Sequence, residues 1–330
     1  MASAKILVVG SGAMGCAIAQ ALVDKSGDPV WIYGVDKQEL TDLKKGYNRR
    51  YFPNHQFHNF VITSDLKEAT QNAKYIFLAV PSQVLGDIYQ KLAALITVKN
   101  KVCLINLAKG FYPGSTETAH AFLTKKTQQD QIFRGIVSLY GPSFALEIVE
   151  RKLTFLAAIS ASPKLSQEVQ TLLTNKYLKV FLAKDALGVQ TGAIYKNVVA
   201  IASGLVTGLG YGLNAQAVVL TQGYQELNVL VKALGGQSKT AAGISGLGDL
   251  ILTASSAQSR NFTYGLKLAK DASAVIDQTV EGLLALKVFF KIARQKKLKL
   301  PITEALWGII HEKRDPQTIL ECLESKAMIS

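Results

Sequence analysis

The sequence predicts an α/β protein in two parts, a doubly wound parallel sheet followed by an all-helical domain. Three observations carry this expectation. Short apolar runs alternate with helical patterns over the first 185 residues, the signature of parallel strands joined by crossover helices. A glycine-rich turn, Gly10-x-Gly12-x-x-Gly15, lies between the first apolar run and the first helical pattern. Beyond about Asp185 the strand patterns stop, and helical periodicity broken by glycine turns runs onward. A chain of 330 residues suits two cores better than one. The expected domains are 1–185, for dinucleotide binding, and 186–330, helical and carrying substrate and catalysis.

Taken in order, Ile6–Val9 reads as a buried strand that runs directly into the glycine turn. The helix after it is expected from about Met14 to Val23, with Ala17, Ile18, Ala21 and Leu22 facing inward. Val30–Tyr33 is the second strand, Tyr75–Val80 a later one, and Val102–Asn106 and Gly135–Ser138 follow. Phe155–Ile159 is a candidate extension of the sheet. Ala186–Gln225 carries one charge, Lys196, in 40 residues, yet its seven glycines, Asn197 and Asn214 make it a pair of buried helices rather than a membrane span.

Composition narrows the function classes. The chain is 48% hydrophobic and 18% charged, which excludes a disordered polypeptide. Its formal net charge is +13, from 37 Lys and Arg against 24 Asp and Glu. Such a field attracts either nucleic acid or small anions. The short lysine runs at 44–45, 125–126 and 296–299 are scattered and lack interleaved aromatics, so an anionic small substrate is the better reading. Three separated cysteines, Cys16, Cys103 and Cys322, form neither a disulfide framework nor metal-ligand spacing, and the four histidines show no metal motif. The expected setting is a reducing cytoplasm, with no signal peptide and no metal.

The chemistry concentrates in a few places. In the strand–turn–helix context, Gly10 permits a tight turn, Gly12 lets the backbone approach a pyrophosphate, and Gly15 packs helix on strand. This is a Rossmann-type dinucleotide site. After the second strand comes Gly34-Val35-Asp36-Lys37. Asp36 could accept from an adenosine ribose hydroxyl and favour NAD, Lys37 could pair with the 2′-phosphate of NADP, or Asp36 could simply cap a helix. Lys196 is the most informative residue: desolvation lowers a lysine pKa toward the range that suits general acid–base work. The alternatives are a lysine that snorkels outward or one locked in a structural ion pair. Asp249, within Gly246-Leu-Gly248-Asp249, could orient that lysine, and Arg260, between Ser259 and Asn261, could clamp a phosphate. Lys109-Gly110 and Gly141-Pro-Ser143-Phe-Ala145 follow strand ends, on the rim where such sheets bind ligands.

This ordered set resembles the bacterial-type NAD(P)-dependent glycerol-3-phosphate dehydrogenases, along nearly the whole chain. The matching segments are Gly10–Gly15, Arg50–Pro53, Lys109-Gly110, Gly141–Ala145, Gly192–Val198, Gly246–Leu250, Ser259–Asn261 and Val280–Gly282. The resemblance implies reversible reduction of dihydroxyacetone phosphate to sn-glycerol 3-phosphate with NAD(P)H, feeding glycerophospholipid synthesis, in a cytoplasmic homodimer. It implies Lys196 as proton donor and acceptor, assisted by Lys109, with Asp249 and Asn197 orienting lysine and substrate. Ser259, Arg260, Asn261, Ser143 and Gly141 are implied at the substrate. Gly10, Gly12, Ala13, Met14, Gly15, Val35, Asp36, Lys109, Ala145, Arg260 and Glu281 are implied at the cofactor.

The chain departs from the family pattern in three places. Ala13 and Met14 stand where Ser and an aromatic residue are usual, giving a turn more typical of ketopantoate reductases. Val35 stands where Arg or His often precedes the acidic residue, and Tyr195 replaces the usual leucine before the lysine. Two other readings therefore stay open: a related two-domain reductase, and a dinucleotide-sensing regulator without chemistry.

Overall fold

The computed structural model describes residues 5–97, 101–271 and 280–324. The chain divides into two compact units. One comprises residues 1–108 and 112–184; the other comprises residues 185–330 together with Lys109–Phe111.

In the first unit, β1 (Lys5–Val9), β2 (Val30–Tyr33), β5 (Phe60–Thr63), β6 (Ala73–Leu78), β7 (Val102–Asn106), β8 (Phe133–Tyr140), β9 (Thr154–Ile159) and β10 (Leu178–Leu182) form one sheet. Its order is β10-β9-β8-β7-β6-β1-β2-β5, parallel throughout except between β8 and β9. A separate hairpin pairs β3 (Tyr47–Asn48) with β4 (Phe52–Gln56). The chain runs outward from β1 through β2 to β5, then returns to β1's other side at β6. The end of β1 is therefore the switch point of the sheet, where open α/β folds bind ligands. The central strands are buried on both faces, as parallel strands covered by helices must be.

Helix α1 (Ala13–Ser26) follows β1. Its residues Gly15 to Val23 are all buried, a broader contact than the one-sided face expected from sequence. On the same side it meets α6 (Ala145–Val149) and α7 (Pro163–Leu173) in an apolar cluster that includes Ala13, Met14, Ala145, Ile148 and Val169. The crossover helices α2 (Lys37–Lys44), α3 (Leu66–Thr70), α4 (Leu85–Leu95) and α5 (Ala119–Gln129) complete the unit. Asp36, Asp65, Thr118 and Ser162 cap α2, α3, α5 and α7 through their side-chain oxygens, each worth about 1 kcal/mol.

The second unit is built around α8 (Ala186–Gly208), which starts at the cap of Asp185 on the Gly188 N–H. Every residue from Gly188 to Val206 is buried. Around it pack α9 (Leu213–Ala233), α10 (Ser238–Ala241), α11 (Asp249–Ala254), α12 (Arg260–Leu268), α13 (Glu281–Lys296) and α14 (Pro301–His311), with α15 (Ile319–Leu323) against α9 and α14. The apolar stretch at 186–225 is thus α8 and the first half of α9, parted by a break at 209–212. No helix among the described residues is long and apolar enough to cross a membrane. Lys109–Phe111, expected within the first domain, clusters with this unit because Lys109 bonds Asp249 and Phe111 packs edge-on against Phe289.

Candidate active site

In the first unit the glycine turn has the form a pyrophosphate requires. Gly10 sits at φ +119°, and a Cβ there would lie 2.3 Å from the Ala79 carbonyl oxygen. A Cβ on Gly15 would lie 1.9 Å from the Gly10 oxygen, so that glycine allows the helix to close on the strand. Gly12 differs: a Cβ there meets nothing within 4 Å, and its φ of −72° suits any residue. Gly12 is also the N-cap of α1 and offers no side chain to the helix's first N–H groups. A bare backbone face and uncapped amides at a helix N-terminus fit an anionic cofactor.

Residues distant in sequence hold this turn in place. Ser11 Oγ donates to Glu39 Oε2 at 2.6 Å, and Asn48 Nδ2 donates to the Ser11 carbonyl at 2.9 Å. The sequence reading missed both partners. After β2, Val35 is 79% exposed. Asp36 Oδ1 accepts from the Gln38 and Glu39 N–H groups at 2.9 and 3.0 Å, so it caps α2, while its Oδ2 lies 3.4 Å from Arg50 Nη1. Gly141 has φ +149°, Ser143 Oγ donates to its carbonyl at 3.0 Å, and Ala145 opens α6, which packs on α1.

The second unit gathers the remaining predicted residues around the middle of α8. Lys196 is 6% exposed and bonds Asp249 Oδ1, while Lys109 Nζ reaches Asp249 Oδ2 at 2.9 Å. Asp249 itself is 0% exposed and opens α11 after a π-helical turn over Ile244–Gly248. Gly192 makes this approach possible: a Cβ there would lie 2.6 Å from the Ser245 carbonyl oxygen in that turn. Thr253, one turn along α11, donates to Asp249 Oδ1 at 3.2 Å. Sequence reading passed over Thr253, although its spacing of four from Asp249 places both on one helix face.

Burial drives the Lys196 pKa well below the ordinary lysine value; the Asp249 carboxylate pulls it back up, and the nearby Lys109 ammonium pushes it further down. One carboxylate thus spans two ammoniums in an enclosed setting, where unpaired charge costs several kcal/mol.

Next to Lys196, Asn197 is buried, and its Nδ2 has no hydrogen-bond partner among the described residues. An orphaned amide donor beside a lysine is costly unless a ligand receives it. Helices α12 and α13 begin beside this point. Ser259 Oγ caps α12 on the Phe262 N–H, Arg260 is its exposed first residue, and Asn261 Oδ1 accepts from the Gly282 N–H at 2.9 Å. Ser259 Oγ and Asn261 Oδ1 therefore build the helix starts, while Arg260 extends outward. Glu281 opens α13; its enclosed carboxyl is pushed up by burial, against the pull of Arg260, Lys196 and Lys109.

Comparison with known proteins decides what this arrangement belongs to. Residues 5–166 match the N-terminal model, and residues 185–321 the C-terminal model, of NAD-dependent glycerol-3-phosphate dehydrogenase. The chain belongs to the NAD-dependent glycerol-3-phosphate dehydrogenase family. It is accordingly an NAD(P)-dependent oxidoreductase. A protein of Mycoplasma mobile named as an NAD(P)+ glycerol-3-phosphate dehydrogenase is 40% identical over 311 residues, covering 93% of this chain and 92% of that one. A Staphylococcus aureus protein of the same name is 33% identical over 327 residues, covering 97% and 96%. The crystal structure of glycerol-3-phosphate dehydrogenase from Coxiella burnetii aligns with a TM-score of 0.86 at 30% identity, covering 97% of this chain and 99% of that one. These matches favour the dehydrogenase reading over the ketopantoate reductase suggested by Ala13 and Met14.

Proposed function

We propose that the chain reversibly reduces dihydroxyacetone phosphate to sn-glycerol 3-phosphate, with Lys196 as the group that gives and takes the proton. The observation that carries this is the buried Lys196–Asp249–Lys109 cluster beside the orphaned Asn197 amide. NAD(P)H, held at the Gly10–Gly15 turn with its pyrophosphate on the α1 N-terminus, supplies the hydride when bound.

The protein's own groups manage the charge. As the carbonyl carbon becomes tetrahedral, negative charge builds on its oxygen, and the Lys196 ammonium stabilises it and transfers one proton to make the secondary alcohol. In the oxidative direction neutral Lys196 takes that proton back. Its lowered pKa makes both forms accessible near neutrality. Lys109 keeps a second positive charge beside the reacting oxygen, and Asp249 orients both lysines. Asn197 Nδ2 donates to a substrate oxygen. Arg260, at the N-terminus of α12, takes the phosphate, where the helix dipole adds to its charge. Ser259 and Asn261 hold that helix start, and Gly141, Ser143 and Ala145 in the first unit, and Glu281 in the second, are the remaining residues the family reading assigns to substrate and cofactor. By the same family reading the enzyme is a cytoplasmic homodimer that supplies glycerophospholipid synthesis.

The test is loss of reduced-nicotinamide absorbance with dihydroxyacetone phosphate, run separately with NADH and NADPH, with ketopantoate as control. Oxidation driven by the phosphate alone supports the proposal. Oxidation driven only by ketopantoate, or by neither compound, contradicts it.

A further inference from the structure

Behind the two lysines lies a buried support that the proposed chemistry does not use. Tyr195, the neighbour of Lys196 on α8, is 0% exposed, and its hydroxyl donates to Glu226 Oε2 of α9 at 2.5 Å. It also shares a hydrogen bond of 3.0 Å with Thr303 Oγ1. The same carboxylate accepts from the Ile302 and Thr303 N–H groups at 2.6 and 3.3 Å, which gives α14 the cap that Leu300 does not provide. Glu226 thereby ties α8, α9 and α14 at one buried point.

The Tyr195 ring also meets Phe289 of α13 edge-on, with centroids 5.2 Å apart at 89°. Phe289 in turn meets Phe111 edge-on, with centroids 5.2 Å apart at 72°. Phe111 lies two residues beyond Lys109. The two lysines that converge on Asp249 are thus backed, one and two positions along the chain, by members of one aromatic stack. An apolar side chain would fill this core without the demand for a hydroxyl partner. Here the tyrosine stands where the family pattern expects leucine, and the hydroxyl ties the Lys196 helix to a fixed carboxylate.

We propose that Tyr195, Phe289 and Phe111, anchored through Glu226, are positioning residues that hold Lys196 and Lys109 together on Asp249. The proposal rests on Lys196 being the proton donor. It acts through geometry: α8 cannot rotate or slide without breaking the Tyr195–Glu226 bond, and the Lys109 segment cannot withdraw without unstacking Phe111. A displacement of about 1 Å at a reacting group costs up to about a hundredfold in rate.

The test uses Tyr195→Phe and Phe111→Leu in the full-length protein, with Lys196→Ala alongside. For both packing variants, kcat for reduction falls about tenfold or more, while KM for dihydroxyacetone phosphate stays within about twofold. NADH binding, followed by nucleotide fluorescence, is unchanged. In Tyr195→Phe the alkaline limb of the reduction profile moves to lower pH, because Lys196 loses support from Asp249 while the Lys109 ammonium stays near. In Phe111→Leu, where Lys109 itself is released, that limb moves to higher pH, and the Glu281 carboxyl opposes the first shift and adds to the second. Packing variants that unfold more easily yet keep the parent kcat and pH limbs would overturn the proposal and leave the stack as core. If Tyr195→Phe does not fold, Phe111→Leu carries the same decision from the other end of the stack. Full turnover in Lys196→Ala would instead sink the donor assignment beneath it, and the two failures are distinguishable.

Discussion

Replacing Asp249 with asparagine is the most informative perturbation of the cluster, because it removes one charge and almost no volume. In the parent, the carboxylate raises the pKa of Lys196 against burial and against Lys109. An opposite charge at contact distance is worth about one to three pKa units. Asp249→Asn therefore lowers the Lys196 pKa further by that amount, from about 7, and the protonated fraction at neutral pH falls about five- to five-hundredfold. Reduction, which needs the ammonium, slows accordingly, and its pH optimum moves to the acid side. Oxidation needs the neutral amine, so its acid limb moves the same way and its activity persists to lower pH. Stability changes too: breaking a buried ion pair from one side costs about 3–5 kcal/mol. Between the variant's lowered Lys196 pKa and the parent's, at about 7, the unfolded variant binds more protons than the folded one while the parent does not, so that deficit shrinks as pH rises through this window and is constant above it. Initial rates in both directions across pH, with urea midpoints at acid and alkaline pH, give every quantity needed. Unshifted limbs with an unchanged reduction kcat would refute the reasoning.

Four further outcomes follow from individual residues. Gly12→Val should weaken NADH binding by about tenfold or more and leave the unfolding midpoint nearly unchanged, since its Cβ enters open space. Gly15→Ala should lower the midpoint, since its Cβ collides with Gly10, and calorimetry beside a binding titration separates the two. Arg260→Ala should raise KM for dihydroxyacetone phosphate about tenfold or more, and an unchanged KM removes Arg260 from the phosphate site. His120, buried against Ser138 Oγ at 2.8 Å, is pushed down to about 4 by burial, from 6.5. The unfolded chain takes up a proton in that window that the folded chain refuses, so stability is complete above 6.5 and declines by about 3 kcal/mol as pH falls toward 4. His120→Gln should flatten that part of the acid-stability curve measured by urea unfolding, and an unaltered slope would count against it.

Much of the first unit was legible because parallel strands buried on both faces are written as plain apolar runs. Val30–Tyr33 and Val102–Asn106 occur with the expected bounds. Leu178–Leu182 escaped because it is an edge strand: half-buried Lys179 interrupts its apolar run, and Phe181 and Leu182 remain exposed, so no continuous buried run marks it. Phe60–Thr63 is short and follows a polar hairpin. The antiparallel pairing of β9 with β8 depends on the path of the intervening chain, which residue patterns do not encode.

The candidate site divides along the same line. Lys196 was conspicuous as a lone charge in an apolar helix, and desolvation makes such a residue informative whatever its partner. Its link to Asp249 spans 53 positions, and that of Lys109 spans 140, distances over which spacing says nothing. Asp36 shows the reverse limit: its position allowed both ribose recognition and helix capping, and the structure places one oxygen in the cap. Tyr195 stood out in sequence only as a substitution, and its meaning depends on Glu226 and Thr303, which reach it from two other helices.

The account turns on Lys196 as the proton-transferring group, and the most direct measurement is turnover of Lys196→Ala beside its nucleotide affinity. The account predicts that reduction of dihydroxyacetone phosphate is lost while NADH binds as in the parent, because Lys196 is assigned to the substrate oxygen and not to the nucleotide. Retained turnover, or NADH binding lost in parallel with activity, would contradict it.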